Sequence, residues 1–234
     1  MKNKQEWLRE LKNYIGGTDL ASIFGLSPYR TALDVYLDKT SDDIGEESSP
    51  AMKWGSLLED VVAKEYAEVT GYNLEIEPNV LYHPKYKFLG ANIDRWADNK
   101  KHVLECKTAG FTKTKEWGEE GTDQVPESYL VQVAYYAAIC NVPKVDIAVL
   151  IGGQDFRIHT YARNRELEDK LINIACNFFW HNHIEKRIPP KCINTRDTFN
   201  LFPQGNYHEI VAENNSTSWK NWKSLKRPRR KKYG

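Results

Sequence analysis

No apolar run in these 234 residues approaches the roughly 20 needed to span a bilayer. The polar, amphipathic opening MKNKQEWLRELKNY is unlike a secretory signal. Cysteine is scarce. Cys106, Cys140, Cys176 and Cys192 are scattered with no C-x-x-C, which offers no zinc site and fits reduced thiols in a cytosolic setting. No internal repeat is evident, and neither sign of charge dominates, with 33 Lys and Arg against 32 Asp and Glu. The balance conceals an asymmetry: eight cations and no acid fall within Trp219–Gly234, leaving an acidic body. The tail SWKNWKSLKRPRRKKYG mixes aromatics with cations, as non-specific nucleic-acid binders do; a nuclear-import-like run or a solvated end are its other readings. The length suits a single α/β domain over residues 1–212, with helices across 1–40, followed by a flexible basic tail over 213–234.

Within that domain the stretch GANIDRWADNKKHVLECKT, residues 90–108, reads as a hairpin with strands over 88–98 and 102–108. A two-residue loop at Asn99-Lys100 sets Asp94 opposite Glu105, with Cβ atoms about 5 Å apart. Alternation places Lys107 on the face of Glu105 and turns Cys106 to the other. Two carboxylates and an ammonium on one sheet face can hold Mg²⁺ and an activated water. Facing acids on a solvated sheet are the plainer alternative.

The flanking segments add to this. Leu58, Val61, Val62, Tyr66 and Val69 recur at helical spacing before Thr70-Gly71, and Glu59 lies towards their stripe while Asp60, Lys64 and Glu68 share a polar face. A carboxylate in that position must find a partner, either a Lys or Arg in a structural bridge or a cation in an adjacent cleft. Downstream, Pro126 to Asn141 encloses a largely apolar helix whose polar exceptions, Gln132 and Tyr136, sit one turn apart. Gln132 is a packing residue or an orienter of water or Lys107. Near the N-terminus, Thr18 after Gly16-Gly17 reads as the cap of a short helix over Asp19–Phe24.

The order Glu59 on a helix, Asp94, Glu105-x-Lys107, then Gln132-x-x-x-Tyr136 resembles the PD-(D/E)XK nuclease superfamily. Within it the chain is similar to the lambda-type exonucleases, the YqaJ-like viral recombinase family. Ile15-Gly-Gly-Thr18-Asp, Ser27-Pro-Tyr-Arg30-Thr, Trp54-Gly55 and Val131-Gln132-Val133 carry the likeness further, over about Trp7 to Asn141. One departure is Ile93-Asp94-Arg95 where the family often shows Pro-Asp-Gly.

The resemblance implies a restriction-endonuclease-like α/β fold, a central mixed β-sheet flanked by helices. It implies Mg²⁺, replaceable by Mn²⁺, held by Asp94, Glu105 and the backbone carbonyl of Cys106. A second ion, about 3.5–4 Å away, falls to Glu59 directly or through water. Lys107 would orient or deprotonate the attacking water, with Gln132 placing that water or Lys107. Thr18 would lie near a 5′-phosphate, helped by Lys12 and Arg30. The implied activity is exonucleolytic hydrolysis of linear double-stranded DNA, 5′ to 3′, for recombination. A homotrimer and a single-strand annealing partner come with it, in a cytoplasmic setting of a bacterial or phage-infected cell, or a nuclear one given the tail. An endonuclease of the same superfamily and a catalytically silent DNA-binding adaptor are the alternatives. The scattered cysteines argue against the related iron–sulfur nucleases.

The remainder reads as scaffold. Residues 40–51 form a polar loop; 109–125 form a connection or a DNA-facing lid beside the catalytic strand. Val145–Gly152 and Phe156–Tyr161 form a hairpin, and 164–187 a long helix ended by Pro189-Pro190. Phe178, Phe179 and Trp180 look like core or subunit contacts. His181 and His183, two apart, cannot share a helix face and are not read as metal ligands.

Overall fold

The computed structural model describes residues 4–42 and 49–201. Residues 43–48 of the expected 40–51 loop and the whole basic tail therefore lie outside the described residues, while Thr40 ends a helix and Pro50 and Ala51 begin another. Three short helices open the fold, α1 (Lys4–Leu11), α2 (Gly17–Ile23) and α3 (Ala32–Thr40), followed by the long α4 (Pro50–Thr70). The strands β1 (Leu74–Glu75), β2 (Leu81–Tyr82), β3 (Gly90–Ala91), β4 (Arg95–Ala97) and β5 (His102–Ala109) come next. A 3₁₀ turn over Phe111–Glu116 leads to α5 (Glu127–Cys140) and then to β6 (Lys144–Ile151) and β7 (Asp155–Ala162). The helix α6 (Arg165–Asn173) continues as π-helix through Ile174–Ile184, and α7 (Thr195–Leu201) closes the described chain. Among the described residues no helix is long and apolar enough to cross a membrane.

The central sheet is mixed, ordered β1-β4-β5-β6-β7, with β5 and β6 parallel and the other pairs antiparallel. Parallel neighbours need a crossover, and α5 supplies it. One sheet face packs on α5, through Val133, Ala134 and Ala137 against Val103, Val145, Ile147 and Val149. The other packs on α4, through Val62, Ala63 and Tyr66 against Ala97, Leu104, Cys106 and Ala148. Successive residues of β5 thus serve opposite layers, as strand alternation requires. Val61 and Val69 leave the stripe expected for α4 and are exposed, because only a narrow face of that helix meets the sheet.

Local signals set several boundaries. Ser49 caps α4 by accepting from the Met52 amide at 3.2 Å, and Gly71 ends it in the left-handed region at φ 72°. Asn141 plays the same part after α5 at φ 54°. Asn164 caps α6, accepting from the Leu167 amide at 3.1 Å. The β6–β7 hairpin turns on Gly152 and Gly153.

The hairpin before β5 differs from its expected form. Its register is the expected one, Arg95 facing Leu104 and Ala97 facing His102, but the connection takes all of 98–101. Asp98, Asn99 and Lys100 all adopt positive φ, and the Lys101 amide donates back to the Ala97 carbonyl at 3.1 Å. The strand expected over 88–98 is also broken: Gly90–Ala91 pairs instead with β2 in a separate two-stranded sheet. Gly90 sits directly against the Tyr14 ring and Val80, a contact no larger residue could make. β4 therefore stops at Arg95, and β5 from Glu105 onward has no partner on that edge. The opening so left is where the site lies.

Candidate active site

A cavity of about 230 Å³ sits at this open edge, lined by Gly55, Ser56, Glu59 and Val62 of α4, by Asp94, and by Glu105 to Thr108 of β5. Asp94 does not form a ladder pair with Glu105, because it precedes the first residue of β4. Its Oδ2 instead accepts from the Cys106 amide at 2.7 Å, replacing the backbone bond that the missing strand would have made. The site thus joins Asp94 to the strand that carries Glu105 and Lys107, as expected, but through a bend rather than a cross-strand pair.

Glu105 is buried, with Oε1 accepting from Gln132 Nε2 at 2.7 Å and paired at contact distance with Lys107 Nζ. Its Oε2 is buried and has no hydrogen-bond partner. Gln132 spends its amide on Glu105 and on the Tyr136 hydroxyl at 3.1 Å, so it fixes the carboxylate rather than Lys107. Lys107 also lies over the ring of Tyr129, 5.0 Å from the centroid, and Tyr129 stacks on Trp117 at 5.5 Å. Burial works against the charge of Lys107, yet Glu105 and Asp94 outweigh it and hold the ammonium protonated. Burial, reinforced by the nearby Glu105 charge, holds the Asp94 carboxyl well above the ordinary carboxylate range, with Lys107 only partly compensating.

Glu59 reaches the cavity from α4 and lines the cleft, and its Oε1 accepts from Arg95 Nη1 at 2.7 Å, the structural bridge of the two alternatives raised for it. Arg95 also contacts Asp60 and the Asp94 carbonyl. Cys106 turns to the α4 layer, and burial pushes its thiol up, so it remains a neutral thiol and offers the site only its backbone.

The donor set suits a hard divalent cation. Asp94 and Glu105 supply carboxylate oxygens, one of them orphaned, in a cleft where Lys107 compensates the two buried acids only in part. Among the described residues no three His, Cys, Asp or Glu side chains converge as a ready cage. Asp94, Glu105 and Glu59 each spend an oxygen on a protein donor instead.

The N-terminal residues differ from expectation. α2 begins at Gly17, so its cap is Gly16, and Thr18 is an exposed residue of the first turn. The reason is Asp19, whose Oδ2 reaches back to the Gly16 amide at 3.0 Å and satisfies the helix start in place of a threonine hydroxyl. Asp19 is buried and pairs with Lys39 at 2.8 Å and Arg30 at 3.1 Å. Lys12 donates to the Asp38 carbonyl at 2.9 Å and its carboxylate at 3.2 Å. Lys12 and Arg30 are thus tied to carboxylates of the same substructure. Gly17 presses that substructure on α5; a Cβ there would lie 2.8 Å from both Gln132 Cγ and the Tyr136 ring.

Sequence reasoning missed Arg95 and Tyr129 as parts of the site. Arg95 stood out only as a departure from the family motif. Tyr129 precedes Gln132 by three residues, a spacing that puts both on one helix face and was the available signal.

Elsewhere, α6 and its π continuation cover most of the expected 164–187 helix, with Phe179 buried, Trp180 stacked on Phe88 at 4.6 Å and Phe178 exposed. His181 pairs with Glu185 at 2.7 Å.

The YqaJ-like viral recombinase domain matches residues 6–143. A Bacillus subtilis (strain 168) protein, YqaJ, itself described as uncharacterized, is 38% identical over 185 residues, covering 78% of this chain. This chain spans 57% of that relative's length. Among solved structures, the alkaline exonuclease LHK-Exo from Laribacter hongkongensis superposes with a TM-score of 0.61 at 14% identity, covering 79% of this chain and 94% of that one. A phage-related exonuclease from Haemophilus somnus 129PT gives 0.54 at 15% identity, with 74% and 96% covered. These likenesses bear out the restriction-endonuclease-like architecture of a mixed sheet between helices. By the match over residues 6–143 and the identity with YqaJ, the chain belongs to the YqaJ-like viral recombinase family.

Proposed function

We propose that this protein is a metal-dependent deoxyribonuclease that degrades linear double-stranded DNA from an end, 5′ to 3′, in recombination. The observation that carries the reading is the convergence of Asp94, Glu105 and Lys107 on one open cleft, with Glu105 braced by Gln132 and one of its oxygens unpartnered. A DNA-processing family and a fold shared with exonucleases support it. LHK-Exo has been crystallised with dAMP, a mononucleotide of the sort this reaction releases.

Asp94, Glu105 and the Cys106 carbonyl would hold Mg²⁺ or Mn²⁺. When bound, such an ion supplies Lewis acidity towards water and phosphate. The protein's own groups do the rest. Lys107, kept cationic by its carboxylate neighbours, donates to the attacking water or to a non-bridging phosphate oxygen as negative charge builds there. Gln132 fixes the Glu105 rotamer, and Tyr129 limits the swing of Lys107. Water attacks phosphorus in line, the P–O3′ bond breaks and the 3′ oxygen takes up a proton. The attacked phosphate stays as the new 5′ end of the shortened strand, and the terminal nucleotide leaves with a 3′-hydroxyl and its own 5′-phosphate. Thr18, Lys12 and Arg30 remain candidates for the DNA end, the two cations by exchanging a carboxylate for a phosphate. A homotrimer working beside a single-strand annealing protein completes the reading, supported by family membership.

The test is Mg²⁺-dependent release of label from linear duplex tagged at either 5′ or 3′ ends, with a covalently closed circle and Lys107→Ala protein alongside. Early loss of 5′ label, an intact circle and an inactive variant are expected. Cutting of the circle would make the protein an endonuclease, and DNA binding without hydrolysis in Mg²⁺ or Mn²⁺ would leave a silent adaptor.

A further inference from the structure

Arg95 stands behind the cleft, paired with Glu59, and the proposed reaction uses neither charge. Its side chain is nine-tenths buried on the α4 face of the sheet, where its partner across the ladder is Leu104. One guanidinium nitrogen meets Glu59 Oε1 at 2.7 Å and also the Asp94 carbonyl, and the other meets Asp60. Asp60 projects into solvent, where a pair contributes little. Glu59 is only one-third exposed and lines the cleft, so its pairing counts for more. Because Arg95 grips both α4 and the backbone of Asp94, it sets the depth at which Glu59 enters the site.

We propose that Arg95 is a positioning residue that serves as the fixed counter-charge of Glu59, so that the cleft takes one divalent cation rather than two. This inference rests on the nuclease reading and refines it. Lys107 pairs with Glu105 and Arg95 pairs with Glu59, so two of the three carboxylates that line the cleft already have a fixed cation. A second ion would sit against the guanidinium, and like charges about 4 Å apart repel by several kcal/mol even at an effective dielectric near 20. The planar, permanently charged guanidinium is pre-organised, so it holds Glu59 with less entropy loss per bond than a lysine would. Glu59 then faces the cleft as a hydrogen-bond acceptor for water instead of a metal ligand.

Stoichiometry decides this, read by calorimetric titration of the full chain with Mn²⁺ and by the electron-spin-resonance signal of free Mn²⁺, both without DNA. The wild type is expected to bind one Mn²⁺, and Glu59→Gln is expected to keep that single site, bound more weakly because Arg95 loses its counter-charge. Arg95→Leu should gain a second, weaker event that disappears in the Arg95→Leu, Glu59→Gln double variant, while Arg95→Lys restores a single site. Two ions in the wild type, loss of the single ion in Glu59→Gln, or no second event in a folded Arg95→Leu would each overturn the assignment. Should Arg95→Leu fail to fold, the wild-type and Glu59→Gln titrations still decide the matter. Absence of any Mn²⁺ binding, or binding that survives Asp94→Asn undiminished, would overturn the nuclease reading itself, which separates the two failures.

Discussion

Gly17→Ala should disable the site from a distance. In an ordinary helix this change adds up to about 1 kcal/mol of stability through propensity. Here the added methyl would lie 2.8 Å from Gln132 Cγ and 2.8 Å from Tyr136 Cε1. Both neighbours belong to buried parts of α5, and Gln132 is held at Glu105, so neither can swing aside into solvent. Overpacking of this kind costs about 1–3 kcal/mol, which outweighs the propensity gain. The net loss of up to about 2 kcal/mol should lower Tm by up to roughly 4–8 °C for a chain of this size. Any shift of Gln132 loosens Glu105 as well, so nucleotide release should slow by about tenfold or more. Gly55→Ala is the control for sign. Gly55 lies within α4 with nothing within 4 Å of an added Cβ, so Tm should rise by about 2–4 °C. Thermal unfolding of the three proteins, followed by circular dichroism, checks both signs. A Gly17→Ala protein at or above the wild-type Tm would refute the packing of α2 on the Gln132 turn, and with it the mechanical link from the N-terminal helices to Glu105.

Tyr129→Leu keeps the apolar bulk beside Trp117 but removes the ring beneath Lys107, and should slow single-turnover hydrolysis by roughly 2- to 30-fold, for a cation–π contact of about 0.5–2 kcal/mol. Asp94→Asn removes one of the crowded carboxylates, so the metal-free protein should gain about 1–2 kcal/mol in urea unfolding while losing nucleolytic activity. Acid sensitivity should trace to Asp146. Burial tends to raise this carboxyl, but hydrogen bonds from His102, Lys144, Tyr66 and Thr160 outweigh it and hold it well below its usual range. A depressed folded pKa gives stability that is complete above the unfolded value, about 3.9, and is lost as pH falls from there towards the folded one. Urea midpoints at pH 6, 4 and 3 should fall more steeply in the wild type than in Asp146→Asn, and parallel profiles would show that this network does not titrate on unfolding.

Several parts of this protein were fixed by the sequence alone because they depend on neighbours in the chain. Period-two alternation placed Glu105 and Lys107 on one face of β5 and Cys106 on the other. Gly71 and Asn141 ended α4 and α5 because they enter the left-handed region cheaply, and Gly152-Gly153 made the β6–β7 turn for the same reason. The hairpin register followed from the position of its turn residues, even though the connection proved longer than two residues. Tertiary structure decided everything that depends on which surface covers which. Gly90 had to pass against Tyr14 and Val80, which drew residues 90–91 to β2, cut β4 to three residues and left the edge of β5 open. Only through that break does Asp94 reach the Cys106 amide, and only because α4 lies over β4 does Arg95 meet Glu59. Asp19 displaced Thr18 from the cap of α2 because a buried carboxylate beside Lys39 and Arg30 makes a stronger bond to the helix start than an exposed hydroxyl. Spacing along a chain specifies which way a side chain points, but partnership needs two segments brought together, and burial of the apolar faces of α2, α4 and α5 is what brings them.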